Sequence, residues 1–337
     1  MALESIFRRR RRFARTAAVS IALLATAMPS WTQTPQVGPA STSAQLAGAY
    51  RLRLGDFQVT SLSDGTVPQD LHKLLKGATS AEVDGLLDHE FLKNPVEASI
   101  NAFLIDNGSR RVLVDTGAGG FFGPGFGGKL LASLAAAGYK PQQIDDILIT
   151  HIHTDHSGGL VDGDRLAFPN ATIHVGKPDL DFFLNPASAA SSGYDQKYFD
   201  EAAKAMGPYV RAGRVKAFSG RTQLFPGITA VPTPGHTPGH SSYLIESQGQ
   251  RLELMGDIVH VASVQFSEPR ITIVYDVDSA AAASQRKSQF ARLASERRLV
   301  AAAHLPFPGI GHIRVEGSGY TWVPVDYINR NFQPAPQ

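Results

Sequence analysis

A chain of 337 residues with 43% apolar and 18% charged residues can bury one large core or two modest ones, which excludes a disordered or low-complexity polymer. Residues 1–30 carry six Arg and one Glu, a net +5, so the formal +2 of the whole chain leaves about −3 for everything after them, and the basic surface expected of a nucleic-acid-binding protein is excluded. There is no cysteine; this suits an oxidising compartment and removes disulfides, thiolate metal ligands and cysteine nucleophiles together.

In chain order, residues 8–12 are a run of five arginines, 17–28 are apolar, and small residues and a proline follow. That order is the layout of a secretory signal peptide over residues 1–30, and its apolar part is too short to span a bilayer comfortably. Arg10-Arg11-Arg12-Phe13 fits the twin-arginine pattern, although any arginine-rich start would offer such a frame. The expected location is periplasmic or secreted, with no stable membrane anchor once the segment is removed. Residues 31–48, rich in Pro, Ser, Thr and Gln, read as a flexible leader, and 49–337 as one α/β domain without a linker or internal repeat.

Within that domain, RLRLGDFQVTSLSDG alternates as a strand and is expected to end in the Ser-Asp-Gly turn. SINAFLIDNGSRRVLVDTG is two strand-like runs joined at Asp106-Asn107-Gly108, a hairpin signal. GAGGFFGPGFGG is a glycine-rich loop with three phenylalanines, KLLASLAAAGY a helix with a glycine stop, and DDILITH a short buried strand. ATIHV, RLELMGDIV, ITIVYDV and RLVAAAH read as further strands. PDLDFFL, YFDEAAKAMGPYV and SAAAASQRKSQFARLASERR read as helices. Residues 185–220 fit either a lid-like insertion or an ordinary helix and loop.

After DDILIT comes HIHTDH: His151, His153, Asp155 and His156, four ligand-type side chains in six positions. At a strand end, i and i+2 can point the same way, so His151 and His153 can grip one ion. Asp155 and His156 lie one turn on and can face a second. Imidazole and carboxylate suit Zn, Mn, Co or Fe.

HIHTDH resembles the HxHxDH motif of the metallo-β-lactamase superfamily. LVDTG (with Asp115), TPGHTPGH (with His236), LMGD (with Asp257) and AAAHLPFPG (with His304) follow in the family's order, over about residues 51–325. The resemblance implies an αβ/βα four-layer sandwich, two mixed sheets flanked by helices, with the site on loops at one edge. It implies two divalent ions, zinc first and Mn, Co or Fe as alternatives. One would be held by His151, His153 and His236, the other by Asp155, His156 and His304, with Asp257 bridging. Asp257 and Asp155 would be the carboxylates that work with a metal-bridging hydroxide, a nucleophile at neutral pH. Asp115 would orient a ligand from behind. In HTPGH the family pattern gives His236 to the metal and leaves His240 a loop hydrogen bond. His72, His89, His174 and His312 have no neighbouring ligand pattern. His260, three residues after Asp257, fits pocket lining and simple packing equally.

The tail AAAHLPFPGIGHIRVEGSGYTWVPV, with LGDFQVTSLSDGTV and GHTPGHSSYLIESQGQ, is similar to the methyl parathion hydrolase-like branch, which includes organophosphate hydrolases and hydrolases of aryl lactones and aryl esters. Core packing is the commoner fate of phenylalanine. Clustering with glycine and proline in loops nonetheless places Phe122, Phe183 and Phe199 in an aromatic, uncharged pocket, with His260 and Ile273 as walls. Such a pocket suits a small uncharged aromatic ester or lactone. The expectation is an exported dinuclear hydrolase of dihydrocoumarin-like lactones or aryl esters, with phosphotriesterase activity beside it. A primary phosphotriesterase is the alternative. An iron-dependent oxidoreductase on the same fold is a rival of another class, as is a metal-stabilised binding protein. Exposed loop aromatics leave room for a homodimer; nucleic acid is not expected as a partner.

Overall fold

The computed structural model describes residues 45–330. The segment read as a signal peptide and residues 31–44 of the leader lie outside the described residues, as do residues 331–337.

Two seven-stranded mixed sheets carry the architecture. In spatial order the first is Ala49–Leu54, Phe57–Gln69, Val96–Asp106, Arg111–Val114, Asp146–Ile149, Thr172–Gly176 and Val215–Phe218. Its first three pairings are antiparallel and its last three parallel. The second is Thr222–Phe225, Ile228–Pro232, Ser241–Ser247, Gln250–Leu254, Leu299–Ala301, Ile310–Glu316 and Gly319–Pro324. Only Gln250–Leu254 and Leu299–Ala301 pair in parallel there.

Strand alternation builds the layers, because successive side chains point to opposite faces. Phe103, Ile105, Val112, Val114 and Leu148 face inward and meet Tyr243, Ile245, Leu252 and Leu254 of the second sheet. Their sequence neighbours Ala102, Leu104, Leu113, Ile147 and Ile149 face outward under helices. One of those helices is Gln196–Arg211, started by Asp195, whose side chain accepts from the Lys197 amide. It buries Phe199, Ala202, Met206 and Tyr209, one face of a 3.6-residue repeat. Truncating Phe199 to alanine there should cost about 3–5 kcal/mol. Across the molecule, Ser279–Ser295 packs Phe290 and Leu293 on the outer face of the second sheet. The result is helix, sheet, sheet, helix, the four layers expected.

Two readings change and one open choice is decided. The Ser-Asp-Gly segment makes no turn: Phe57–Gln69 runs straight through it, with a bulge between Ser63 and Gly65 that turns Asp64 fully inward. ITIVYDV forms only the short strand Thr272–Ile273, against Leu75–Lys76. It stops because the Asp276 carboxylate folds back onto the Ile273 amide. Residues 185–220 resolve into helices Pro186–Ser191 and Gln196–Arg211 and the sheet strand Val215–Phe218.

Candidate metal centre and active site

The four loops that carry most of the site leave the C-terminal ends of strands. Asp115 follows Arg111–Val114, His151 follows Asp146–Ile149, Asp257 follows Gln250–Leu254, and His304 follows Leu299–Ala301. The first two strands are a parallel pair in one sheet and the last two a parallel pair in the other. Parallel neighbours end side by side, so each sheet delivers two loops to one edge. His236 joins them from the loop between Ile228–Pro232 and Ser241–Ser247.

Two triads converge there. In the first, His153 Nδ1 lies 3.0 Å from His151 Nε2 and 3.0 Å from His236 Nε2. The second is Asp155, His156 and His304, with His304 Nε2 3.4 Å and His156 Nε2 3.8 Å from Asp155 Oδ2. Asp257 stands between them: Oδ1 is 3.2 Å from His156 Nε2, while Oδ2 is 3.3 Å from His236 Nε2 and 3.1 Å from His304 Nε2.

The far side of each ring decides what the near side offers. Tyr194 donates its hydroxyl to the Tyr275 carbonyl (2.7 Å), so it accepts from His153 Nε2–H (2.9 Å) and leaves His153 Nδ1 a bare lone pair. Thr150 donates to Asp115 Oδ2 (2.8 Å), so it accepts from His151 Nδ1–H (3.1 Å). His156 Nδ1–H donates to Asp115 (2.8 Å), His236 Nδ1–H to Asp276 (2.8 Å) and His304 Nδ1–H to the Ser99 carbonyl (2.8 Å). Five imidazole lone pairs and two carboxylates therefore point into one buried space, and among the described residues His156 Nε2 and Asp257 Oδ1 have no hydrogen-bond partner. Bare lone pairs 3.0 Å apart repel each other unless a cation lies between them. The donor set fits two divalent ions, as neutral imidazoles oriented by outer partners do in metal sites.

The electrostatics agree. Burial pushes His151 and His153 well below the ordinary imidazole value, which keeps their lone pairs free. Burial opposes charge on Asp257 too, but His156, His304, His260 and His151 outweigh it and hold the carboxyl well below its usual range. Burial also opposes a cation on His236, yet Asp257 and Asp276 raise its value to about 9, so without an ion this ring takes up a proton in the place where the metal would sit. The centre is a cation-seeking field.

Local backbone serves this geometry. Asp115 sits at φ 59°, an uncommon conformation for a non-glycine residue, and receives Thr150 N–H and Oγ1–H as well as His156. Gly256 at φ 54° turns the chain into Asp257; a Cβ there would lie 2.6 Å from His240 Nε2. That nitrogen instead accepts the Asp257 amide at 3.0 Å, so His240 supports the loop and points no lone pair at the ligands. Asp179, fully buried, accepts from the amides of Ile152 and Gly239 and from the Thr237 hydroxyl, tying the HIHTDH loop to the TPGHTPGH loop.

A cavity of about 170 Å³ opens onto Asp155, Asp257, His153 and His304. Phe122 and His260 line it, together with Tyr198, Tyr275, Lys197 and Glu201. Both ring nitrogens of His260 are buried and, among the described residues, unpartnered in hydrogen bonding, and Nε2 lies 3.1 Å from Asp257 Oδ2. Three expected pocket residues do not line it. Phe183 and Phe199 pack in the helix-covered core beneath the first sheet, because the helices Lys177–Phe183 and Gln196–Arg211 turn those faces inward. Ile273 is fully buried with Leu71, Val83 and Val264. Nor is the pocket uncharged: Lys197 and Glu201 pair at 3.7 Å, and Thr154 donates to Glu201. Asp64, Asp179, Tyr194 and Asp276 had no sequence signal; an isolated aspartate or tyrosine reads like any other. His72, His174 and His312 lie elsewhere, hydrogen-bonded to Asp84, Asp146 and the Arg298 carbonyl, and His89 is exposed beside Glu90.

The family model described as Metallo-beta-lactamase superfamily matches residues 96–304. The chain belongs to this superfamily. A crystal structure of hydrolase AbOPH, in the beta-lactamase superfamily, is 37% identical with a TM-score of 0.80 and covers 85% of this chain and 100% of its own. AidC, a dizinc quorum-quenching lactonase bound to its product, is 29% identical with a TM-score of 0.78 over 85% of this chain and 100% of its own. Among curated proteins, an N-acyl homoserine lactonase of Bacillus cereus is 30% identical over 127 residues, 38% of this chain and 43% of that relative. The matched part thus spans about two-fifths of the length of such curated relatives. Among the described residues no helix is long and apolar enough to cross a membrane.

Proposed function

We propose that this protein is a dinuclear metal-dependent hydrolase that opens lactones, with aryl lactones and aryl esters as its preferred class. The observation that carries this reading is the set of bare nitrogens of His151, His153, His156, His236 and His304 around Asp257, each ring held by an outer partner. Two divalent ions in such a cage supply Lewis acidity and a nucleophile from water at neutral pH. The chain's own residues do the rest. Asp257 and Asp155 keep the centre from carrying the full charge of two dications, and Asp115 and Asp276 fix the rings. Phe122, Tyr198 and Tyr275 give the cavity flat walls that exclude water from a bound ring. A flat lactone stacks there, and an aryl leaving group departs as a phenolate that needs no strong acid. Similarity to lactonases supports the ring-opening half of the reading. The aromatic walls favour aryl compounds, with phosphotriesters as a secondary activity.

N-acyl homoserine lactones are the second reading, favoured by the lactonase relatives and by the polar pair Lys197–Glu201 on the cavity wall, which can meet an amide. A kinetic panel of dihydrocoumarin, p-nitrophenyl acetate, methyl parathion and an acyl-homoserine lactone decides. The expected result is kcat/KM highest for dihydrocoumarin. A panel led by the acyl-homoserine lactone selects the second reading, and one led by methyl parathion makes this a primary phosphotriesterase. Metal analysis should find about two ions per chain; one iron with oxygen uptake would replace hydrolysis by oxidation. Export through residues 1–30 belongs to the same proposal, and the N-terminus of protein recovered from the periplasm tests it.

A further inference from the structure

Helix Pro186–Ser191 is followed after three residues by Asp195, the N-cap of helix Gln196–Arg211. Gly193 makes the reversal at φ 69°, a left-handed conformation that a side chain would strain. Tyr194 is therefore pinned between a glycine turn and a helix cap, and it projects over His153 with its ring nearly parallel, 6.0 Å between centroids. Tyr198, one turn on, stacks on Tyr194 at 4.8 Å, and Phe182 and Phe183 close the nest.

Among the described residues, Tyr194 is the only side chain whose hydroxyl meets His153 Nε2, and its own proton goes to the Tyr275 carbonyl. The next residue, Asp276, holds His236 Nδ1. Two of the three rings in the first triad are thus steered from one dipeptide, and the inter-helix connector reaches it through one phenol.

We propose that Tyr194 is a positioning residue for the first metal: it selects the Nε2–H tautomer of His153, so that the segment around residues 192–195 sets how tightly His151, His153 and His236 hold their ion. The inference rests on the dinuclear reading above. It assigns no role in bond cleavage to the phenol, whose burial raises its value far above the physiological range. The His156 and His304 half is untouched by Tyr194, because its outer partners are Asp115 and the Ser99 carbonyl.

The test uses the full-length protein, Zn²⁺ and a chelator of known affinity. Y194F keeps the ring and removes the hydroxyl. The expected result is two bound zinc ions in wild type and, in Y194F, one ion weakened about 10–100-fold with the other unchanged. Co²⁺ substitution identifies the site: the visible spectrum of Y194F should change in the bands that H153A abolishes and keep those that H304A abolishes. Y198F is the control, since Tyr198 packs on His153 without a hydrogen bond to it, and it should bind both ions as wild type does. Equal thermal midpoints of chelated Y194F and wild type show that the fold is intact. Wild type with two ions and Y194F indistinguishable from it overturns this inference alone, as does a Y194F that loses the His304-side ion. Wild type with fewer than two ions overturns the dinuclear reading and the inference with it.

Discussion

His156 and His304 are backed by the sheets, whereas His153 and His236 are backed by loops. Asp115, behind His156, follows a central strand directly and donates its own amide to the Leu148 carbonyl of the next strand. Ser99, behind His304, lies inside the strand Val96–Asp106. Tyr194 and Asp276 sit instead in a four-residue helix connector and in a turn after a two-residue strand. The donors are alike, but local opening costs less in loops than in sheet interiors. The family's two-ion arrangement therefore rests here on one firm half and one adjustable half, and the adjustable half is the one that faces the aromatic nest.

The most severe way to erase the comparison is to remove what both halves share. Asp257→Asn takes the charge from between the triads, so both ions should weaken together. Hydrolysis should then fall by about 10³-fold or more, the several kcal/mol that metal polarisation supplies. Wild-type turnover in that variant would mean that the centre does not act as described. A smaller effect separates the halves. Asp276→Asn should weaken the His236 side about 10–100-fold in metal affinity and spare the other ion, whereas Asp115→Asn should weaken the His156 side most and the His151 side less, because Asp115 also holds Thr150 behind His151. If either variant weakens both ions equally, the halves are one rigid unit. Smaller again is the wild-type difference itself. Chelation followed by stopped flow should show two phases, the faster one belonging to the loop-backed triad and quicker by about an order of magnitude.

Much of this was legible beforehand, for a physical reason. HIHTDH packs four ligand-type side chains into six residues, and the strands before Asp115, His151, Asp257 and His304 are short apolar runs, so their periodicity announced both strand and loop. What could not be read were single residues whose role is set by tertiary approach. Asp276 lies in a run that alternates like a strand, and nothing local says that its carboxylate turns back to His236. Tyr194 looks like any surface tyrosine beside a serine-glycine pair. Phe183 and Phe199 misled because aromatic clusters near glycines resemble pocket walls. Here they are the inward faces of helices, and only Phe122 of the three reaches the cavity. The Ser-Asp-Gly segment misled in the opposite direction, since its turn chemistry was overridden by the bulge that sends Asp64 inside.

That buried aspartate supplies the mildest test, because it shows a third way to anchor a loop: a sheet residue reaching out to hold it. Asp64 accepts from the amides of Ala118 and Gly128 through Oδ2 and from Leu130 through Oδ1, and so ties the glycine-rich loop of Phe122 to the strand Phe57–Gln69. Burial raises its value to about 6 from 3.8, against the pull of those three amides. A carboxyl whose proton is held more tightly folded than unfolded adds stability that is complete below about pH 4 and lost as the pH rises through about 6. Asp64→Asn lacks that proton equilibrium. The stability of chelated wild type relative to chelated Asp64→Asn should therefore fall between pH 4 and 7, by roughly 3 kcal/mol at most. Urea midpoints at each pH measure it, with chelation removing the metal's own pH dependence. A difference that stays flat across that window would mean that Asp64 titrates as a solvated carboxylate and that the Phe122 loop is held by its glycine turns alone.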